Sequence, residues 1–390
     1  MKIVHIITRL ILGGAQENTL ITCKLLAQRG HEVTLITGPA EGPEGALFEQ
    51  TQTAGYRTVV LDDLQREINP IADIGAYFKL KKLLQQLDPD IVHTHSAKAG
   101  ILGRYAGWAL KNAAANKPAV VHTIHGLAFH PYQNPLLNRF YIAVEKAAAT
   151  RTDAFITVAD TMTEKCKAAG IGLDKPFTTA WSAIDQEAYL SPPKPDDIAA
   201  FRRQYHIPSD AVVLVKIARL FNLKGHDYVI ESARRLAPNY PNCFWLFVGD
   251  GILAEPLKKQ IHFAGVEDRF RFTGLLTPQQ IPLALHASDI LVHCSLREGL
   301  ARVLPQAMLC AKPVVSFDID GAKEVVNQQT GFLVEPENID QLTKACEVLI
   351  ADADLRQRLG QAGRISVRDK FAPHAMVDVI EAVYNTVLKG

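Results

Sequence analysis

The sequence predicts an α/β protein with two Rossmann-like domains, each built on a parallel sheet. Short apolar runs rich in β-branched residues, such as Lys2–Ile7 and Glu32–Thr37, alternate with longer amphipathic segments along the whole chain. This alternation is typical of successive βαβ units, whose strands run parallel. The length of 390 residues favours two domains or more, and the proline-rich, charged stretch 191–197 separates two halves that both show the pattern.

Composition and charge are those of an ordinary folded protein, with 48% hydrophobic residues and a net charge of +1. This balance gives no electrostatic basis for nucleic-acid binding. The six cysteines are scattered without a C-x-x-C pair, which predicts free, buried thiols in a reducing compartment. The opening run MKIVHIITRL is expected to be a first strand and not a signal peptide, and no stretch has the uncharged length of a membrane span. A cytoplasmic location is therefore expected.

The first half is predicted to alternate strands and helices. The strands are expected at 2–7, 32–37, 58–61, 89–93, 119–124 and 154–158. The helices are expected at 15–28, 71–87, 97–112 and from residue 160 onward. Between them, residues 127–149 mix aromatic with basic side chains. They form either a loop and a packed helix or an amphipathic surface that touches a membrane or a lipid-linked acceptor.

The second half repeats the pattern. Its strands are expected at 211–218, 243–248, 270–273, 290–294, 313–317 and 331–334. Its helices are expected at 197–205, from 226, from 254, at 301–310, within 339–370 and at 374–388. The runs at 290–294 and 313–317, with one helix between them, form a βαβ unit, so the ligand side of the sheet lies beyond residue 294.

Two features of the first half fall where parallel strands end. Gly13 and Gly14 stand between the first strand and its helix, where they let a ligand approach backbone amides or simply form a tight turn. The motif G-x-G-x-x-G is absent, which weakens a nicotinamide or flavin interpretation. His125 follows the strand 119–124 on the ligand side, whereas His122 lies within that strand and is expected to be structural.

His93 and His95 are two residues apart and therefore face one side of a strand. That spacing could ligate a metal, but no third ligand stands at a supporting spacing. No metal site is predicted, and the pair is expected to line a cleft.

In the second half, Arg219 and Lys224 stand five residues apart in a loop between a strand and a helix. A guanidinium fork and an ammonium point charge in such a loop can bind two phosphates. Glu298 precedes a helix expected to start near Ala301, and Gln306 shares a face with Val303 one turn inside it. These two residues could meet a ligand, or they could be a helix-capping acid and a solvated surface residue.

The stretch 290–326 resembles the signature of the family 4 retaining glycosyltransferases of the GT-B fold, E-G-x-G-x-x-x-x-E followed by A-x-x-x-G-x-P-V-V. Glu298 matches the first glutamate, and residues 313–315 match the P-V-V. Gln306 stands where the family has its second glutamate, while Ala301 and Ala311 replace two glycines. The resemblance covers nearly the whole chain and is strongest between 219 and 334.

The resemblance implies roles for individual residues. It places Glu298 and His125 at the donor sugar and Gln306 at the nucleotide ribose. Arg219 and Lys224 match the family's basic pair for the donor diphosphate. The remaining donor-binding positions are implied to be Gly13, Gly14, Gly274, Leu275, Gly299, Leu300, Ala301 and Val303, with the base lying against the segment that begins at Gly274.

The resemblance also implies a GT-B architecture, with domains at 1–190 and 191–370 facing across a cleft and a helix at 371–390 returning to the first domain. The implied reaction is retaining transfer of a sugar from a nucleotide-sugar, a UDP-sugar being expected, to a hydroxyl of a carbohydrate or lipid-linked saccharide. No cofactor or metal is expected. The expected partners include the inner face of the membrane, which the first domain would contact peripherally. The alternatives are a nucleotide-sugar epimerase and a non-catalytic binding protein of a polysaccharide-assembly complex.

Overall fold

The computed structural model describes residues 1–39, 47–67, 69–111 and 117–389. Contacts within it divide the chain into two units. The first unit runs from Met1 to Ile184 and resumes at Phe371, and the second unit is Asp185–Lys370. The proline-rich stretch 191–197 thus lies inside the second unit, where Pro195 already begins a helix.

The first unit is built on one wholly parallel sheet with strand order β3-β2-β1-β4-β5-β6-β7 among the described residues. Its strands are β1 (Lys2–Ile7), β2 (Glu32–Thr37), β3 (Arg57–Val60), β4 (Ile91–His95), β5 (Ala119–Ile124), β6 (Ala154–Thr157) and β7 (Phe177–Thr179). Its helices up to Ile184 are α1 (Gly14–Gln28), α2 (Pro70–Leu87), α3 (Ala97–Lys111), α4 (Pro135–Ala149) and α5 (Asp160–Ala168).

The second unit is built on another wholly parallel sheet with the order β10-β9-β8-β11-β12-β13. Its strands are β8 (Val212–Ile217), β9 (Cys243–Val248), β10 (Phe270–Phe272), β11 (Ile290–His293), β12 (Val314–Phe317) and β13 (Gly331–Val334). Its helices are α6 (Glu187–Leu190), α7 (Pro195–Gln204), α8 (His226–Leu236), α9 (Ala254–Phe263), α10 (Ile281–His286), α11 (Val303–Leu309), α12 (Ile339–Ala351) and α13 (Ala353–Arg368).

The chain returns to the first unit through its last helix, α14 (Pro373–Lys389). Buried side chains on α14 recur every three to four residues, which gives the helix one apolar face against the first unit's core; they are Met376, Val377, Ile380, Val383 and Tyr384. Burial of each of the aliphatic ones stabilises the unit by about 1.5–3 kcal/mol. On the outer side, Arg29, the residue that follows α1, donates to Asp378 and Glu381 at 2.6 and 2.7 Å.

The predicted fold class is confirmed, because apolar runs form parallel strands and amphipathic segments form the helices around them. Among the elements described above, β7, α6 and α10 were not predicted. The three residues of β7 are all half-buried and too few to show a period, and α10 has six residues with Pro282 in its first turn. β4 also begins later than predicted, at Ile91, where its pairing with β1 starts. The predicted end of the third helix, residue 112, lies outside the described residues.

All six cysteines are buried and free, as predicted. Burial raises the pKa of the Cys294 and Cys310 thiols to about 12, so these thiols are protonated at neutral pH. Within the described part of the chain, no helix combines the length and the hydropathy that crossing a bilayer needs.

Candidate active site

The second unit has a point where its strand order reverses. From β8 the chain continues to β9 on one side, whereas β11 lies on the other side of β8 and leads on to β12. In a doubly wound sheet, the loops that leave two such strands diverge and open a crevice in which ligands bind. Arg219 and Lys224 follow β8 and Glu298 follows β11, so three predicted site residues surround this point.

Backbone geometry holds the two loops together. The amide of Leu296 donates to the carbonyl of Leu223 at 2.8 Å. Gly225 has φ +66°, and a Cβ there would lie 1.9 Å from the carbonyl oxygen of Cys294. Only a residue without a side chain fits this position, because it combines a left-handed backbone with close approach of the two loops. The close approach brings Lys224 to the loop that carries Glu298.

Lys224 and Glu298 form an ion pair at this point. The Nζ of Lys224 donates to Oε1 of Glu298 at 2.6 Å, and Nε2 of His293 lies 3.6 Å from the same oxygen. The backbone amide of Glu298 donates to Oδ2 of Asp320 at 2.6 Å, which fixes the loop from the other side. Arg219 is exposed, with its guanidinium 5.0 Å from the centre of the Phe221 ring. The ion pair therefore has a defined position, and a second cation stands in the same loop.

The charges of this pair are set by their surroundings. Burial alone would raise the pKa of Glu298, but the charge of Lys224 and the imidazole of His293 outweigh it and hold that pKa well below its usual range. Burial lowers the pKa of His293 in spite of the nearby carboxylate. At neutral pH the site therefore contains a carboxylate anion beside an ammonium cation.

A buried lysine on β8, the strand that leads into the loop with Arg219 and Lys224, was not predicted as a site residue. Lys216 of β8 is 2% exposed, and its Nζ has no hydrogen-bond partner among the described residues. Burial lowers the pKa of Lys216. His226, at the start of α8, packs edge-on against Phe247, the residue that pairs with Lys216 in the sheet. A lone lysine in the apolar run VVLVKIA was the sequence signal that could have identified this position.

The loop and helix after Glu298 differ slightly from expectation. α11 begins at Val303, two residues later than predicted, and is only seven residues long. Leu300 and Ala301 are buried, so little of either residue is accessible to a ligand. Val303 and Gln306 are both half-buried and one turn apart, which leaves the predicted face accessible together with Gly299.

The predicted base-binding segment begins at Gly274 and follows β10, the strand beside β9. The carbonyl of Gly274 accepts from the amide of Gly249 at 3.0 Å. Leu275 is exposed, while the next residue, Leu276, is buried in the core. Leu275 is thus the apolar side chain of this segment that a planar base could contact.

In the first unit the strand order reverses between β1 and β4. Gly13 precedes α1 and accepts the helix's first hydrogen bond from Glu17 at 3.0 Å, and Gly14 is exposed. His125 is half-buried and follows β5, next to β4. Its Nε2 lies 3.0 Å from Nδ1 of His95. The glycines and His125 therefore all stand at the carboxyl ends of the strands, as predicted.

The structure supplies a third histidine to the pair that the sequence showed. His5 of β1 pairs with His93 of β4, and ring nitrogens of His5, His93 and His95 lie within 4.8 Å of one another. A metal would need a free nitrogen from each ring. Every ring nitrogen of the three already hydrogen-bonds to a protein group, and those groups include Thr123 and Tyr384. The donor set therefore fits a hydrogen-bonded network better than a metal site.

A doubly wound sheet with two cations and a carboxylate at its switch point is suited to a phosphorylated ligand. Comparison with known proteins agrees. The family model "Glycosyltransferase Family 4" matches residues 12–178, and "Glycosyl transferases group 1" matches residues 197–366.

Individual proteins resemble the chain over most of its length. UDP-Gal:alpha-D-GlcNAc-diphosphoundecaprenol alpha-1,3-galactosyltransferase of Escherichia coli is 28% identical over 387 residues, which cover 98% of this chain and 96% of that protein. The capsular polysaccharide biosynthesis glycosyltransferase CapM of Staphylococcus aureus is 23% identical and covers 84% of each chain. The crystal structure of Anabaena HepE with UDP and glucose has a TM-score of 0.84 at 20% identity, covering 99% of this chain and 100% of that one.

The chain belongs to family 4 of the glycosyltransferases. It has the GT-B fold and is a transferase that uses a nucleotide-sugar.

Proposed function

We propose that this glycosyltransferase moves a hexose-type unit from a UDP-sugar to a hydroxyl of a carbohydrate or lipid-linked saccharide, with retention of the anomeric configuration and without a metal. The observation that carries the proposal is the Lys224–Glu298 pair at the switch point of the second sheet, with Arg219 in the same loop. The family resemblance assigns the basic pair of this loop, Arg219 and Lys224, to the donor diphosphate. The names of the relatives describe transferases, which favours this function over an epimerase or a binding protein.

The proposed reaction requires positive charge beside the leaving diphosphate. Glycosyl transfer passes through an oxocarbenium-like state while the diphosphate gains negative charge. Fixed cations aimed at that charge stabilise the transition state more than the ground state. Lys224 and Arg219 would do this, and Glu298 would both hold the Lys224 ammonium and accept from donor sugar hydroxyls. The family resemblance assigns His125 to a hydroxyl of the transferred sugar.

The nature of donor and acceptor is proposed from the relatives. The Escherichia coli relative is named for a UDP-sugar and a saccharide on diphosphoundecaprenol, and CapM for capsular polysaccharide biosynthesis. HepE was crystallised with UDP and glucose. We therefore propose a role in cell-envelope or exopolysaccharide synthesis.

Nucleotide release from a panel of UDP-, GDP- and ADP-sugars, without acceptor and with a chelator, tests this function. Slow hydrolysis of a UDP-sugar is expected, because a site that stabilises the leaving diphosphate also promotes attack by water. Hydrolysis of a GDP- or ADP-sugar instead would replace the donor assignment, and activity only with added divalent metal would overturn metal independence. Absence of both turnover and thermal stabilisation by any nucleotide would reject the transferase.

Gln306 is proposed to face the ribose, and Gln306→Glu is expected to raise the affinity for UDP. A carboxylate accepts charge-assisted hydrogen bonds from ribose hydroxyls, which are stronger than those to an amide by about 1 kcal/mol, or roughly fivefold in Kd. Titration calorimetry with UDP measures the change. Gln260→Glu, on the exposed side of α9, controls for the added charge. Equal affinity in wild type and Gln306→Glu would mean that ribose recognition does not depend on this position.

We propose further that the enzyme is cytoplasmic and contacts the inner face of the membrane through α4. This helix buries little of its apolar surface, since Leu136 is 71% and Phe140 is 56% exposed, and Leu137 lies between them on the same side. Arg139 and Lys146 of the same helix are exposed as well. Apolar side chains flanked by basic ones favour binding at an anionic lipid surface.

Phe140→Asp is expected to weaken binding to vesicles that contain anionic lipid by roughly tenfold, because a buried phenyl ring contributes about 1.5–3 kcal/mol. Cosedimentation with vesicles measures it. The matched control is Phe263→Asp, which changes an exposed phenylalanine of the second unit that is 86% accessible. Equal loss in both variants, or no vesicle binding by the wild type, would contradict the assignment of α4.

A further inference from the structure

A continuous chain of hydrogen-bonded side chains runs through the first unit and ends at His125. Thr123 Oγ1 lies 2.6 Å from His93 Nε2, and His93 Nδ1 lies 2.5 Å from the Tyr384 hydroxyl. That hydroxyl lies 3.5 Å from His5 Nε2. His5 Nδ1 lies 2.9 Å from His95 Nε2, and His95 Nδ1 lies 3.0 Å from His125 Nε2.

The chain follows from strand periodicity. His5, His93, His95 and Thr123 occupy alternate positions on adjacent strands β1, β4 and β5, so they project from one face of the sheet. α14 packs on this face through the same core cluster and supplies Tyr384. The four side chains and Tyr384 are buried.

The buried histidines and the tyrosine that precede His125 in this chain are uncharged at neutral pH. Burial lowers the pKa of His5 to about 3 and lowers the pKa of His93 and His95 well below the usual range. Burial raises the pKa of the Tyr384 hydroxyl well above its usual range. Each buried imidazole therefore has one N–H and one lone pair, so it donates on one side and accepts on the other.

Each neutral ring passes its direction to the next, and a buried Tyr384 hydroxyl that accepted from both His93 and His5 would leave its own proton without an acceptor. The whole chain therefore has one of two directions. Either every donor points toward His125 or every donor points away from it. In the first case His95 donates to Nε2 of His125, and a neutral His125 carries its proton on Nδ1. In the second case Nε2 of His125 donates to His95, and Nδ1 is a proton acceptor.

Thr123 decides between them. Its side chain is 3% exposed, and His93 is the hydroxyl's hydrogen-bond partner among the described residues. If His93 donated to Thr123, the hydroxyl proton would be buried without an acceptor, which costs about 1–3 kcal/mol. Thr123 therefore donates to His93, and every later donor points toward His125.

We propose that Thr123, His93, Tyr384, His5 and His95 are positioning residues that hold His125 in the tautomer protonated on Nδ1. His125 then meets its ligand as a hydrogen-bond donor to an oxygen, such as a sugar hydroxyl, and is not the base that takes the acceptor's proton. This inference deepens the proposed function and rests on it for the identity of the ligand. The tautomer itself does not depend on that function.

Long-range 1H–15N spectra of the full chain, labelled with 15N-histidine, test the tautomer directly. His125 is assigned by its loss in His125→Gln. In the wild type we expect the Nδ1 of His125 to have a protonated, pyrrole-type shift and Nε2 a pyridine-type shift. The reverse pattern would overturn the proposal.

Variants test which side chains impose the tautomer. Thr123→Val removes the first donor, and Tyr384→Phe breaks the 3.5 Å link, so both are expected to move the two His125 shifts toward each other as the tautomers mix. Thr123→Ser should restore the wild-type spectrum. Thr94→Val is the matched control, because Thr94 is a buried threonine on β4 whose hydroxyl lies 2.8 Å from His122, outside the chain. Unchanged His125 shifts in both Thr123→Val and Tyr384→Phe would reject the positioning role.

Activity alone would not decide this question. Mixing two tautomers equally halves the competent fraction, which changes apparent affinity only about twofold. The spectra also separate the two proposals. The expected tautomer without turnover of any nucleotide-sugar would refute the function and keep the positioning role, whereas turnover with the opposite tautomer would do the reverse.

Discussion

Replacing Lys224 with methionine is expected to lower kcat/KM for sugar transfer by about 10²–10³-fold, the range for loss of one fixed donor to developing transition-state charge. Methionine keeps most of the length and the apolar stem but removes the ammonium group that lies 2.6 Å from Glu298. The change also leaves the Glu298 carboxylate without its cation and so raises its pKa toward the usual range. Steady-state kinetics with the best donor of the panel measures the loss.

Lys258→Met is the matched control, since Lys258 pairs with Glu255 on the exposed side of α9, at 2.8 Å. Surface pairs of this kind contribute little, so kinetics equal to wild type are expected. If Lys224→Met kept more than about a tenth of the wild-type kcat/KM, the diphosphate would have to be stabilised by other groups.

Gly225→Ala is expected to destabilise the second unit by about 3 kcal/mol, which corresponds to a fall in Tm of roughly 6–12 °C for a unit of this size. The left-handed φ of +66° costs an alanine about 1–2 kcal/mol. The contact of the new Cβ with the Cys294 carbonyl adds strain of about 1–3 kcal/mol. Scanning calorimetry measures the shift. The displaced loop should also weaken UDP binding, because it carries Lys224.

Gly265→Ala separates the two causes. Gly265 has a similar φ of +68°, but nothing lies within 4 Å of a Cβ built there. It should therefore show the backbone cost alone, with a smaller fall in Tm and unchanged UDP affinity. Equal shifts in the two alanine variants would show that the approach of the two loops contributes nothing.

Much of the fold could be predicted because the strands of parallel sheets have a recognisable pattern of apolar residues in the sequence. Strands buried on both faces are apolar throughout, as in β9, which is buried at all six positions. This pattern does not identify elements that are short and only partly buried, such as β7 and α10. There the structure depends on neighbours that the local pattern does not contain.

The candidate site divides in the same way. Arg219, Lys224 and Glu298 could be selected because strand–helix loops have a known position relative to the sheet. His293 and Asp320 were missed, since their place beside Glu298 depends on how the loops after β11 and β12 fold.

The histidine chain was the feature that could least be predicted from the sequence. His5, His93, Thr123 and Tyr384 come from four distant parts of the sequence, and only strand order and the packing of α14 bring them together. His93 and His95 alone showed a shared face but not their partners. Long-range contacts of this kind have no local signal.

The return of the chain to its first unit has a consequence for synthesis on the ribosome. Residues 185–370 emerge as one continuous stretch, so the second unit can complete its sheet as soon as they have been translated. The first unit begins earlier but waits for α14 to cover its apolar face. Until Tyr384 has been added, the His5 ring has no phenol beside it. The half of the protein that starts first is therefore the half that matures last.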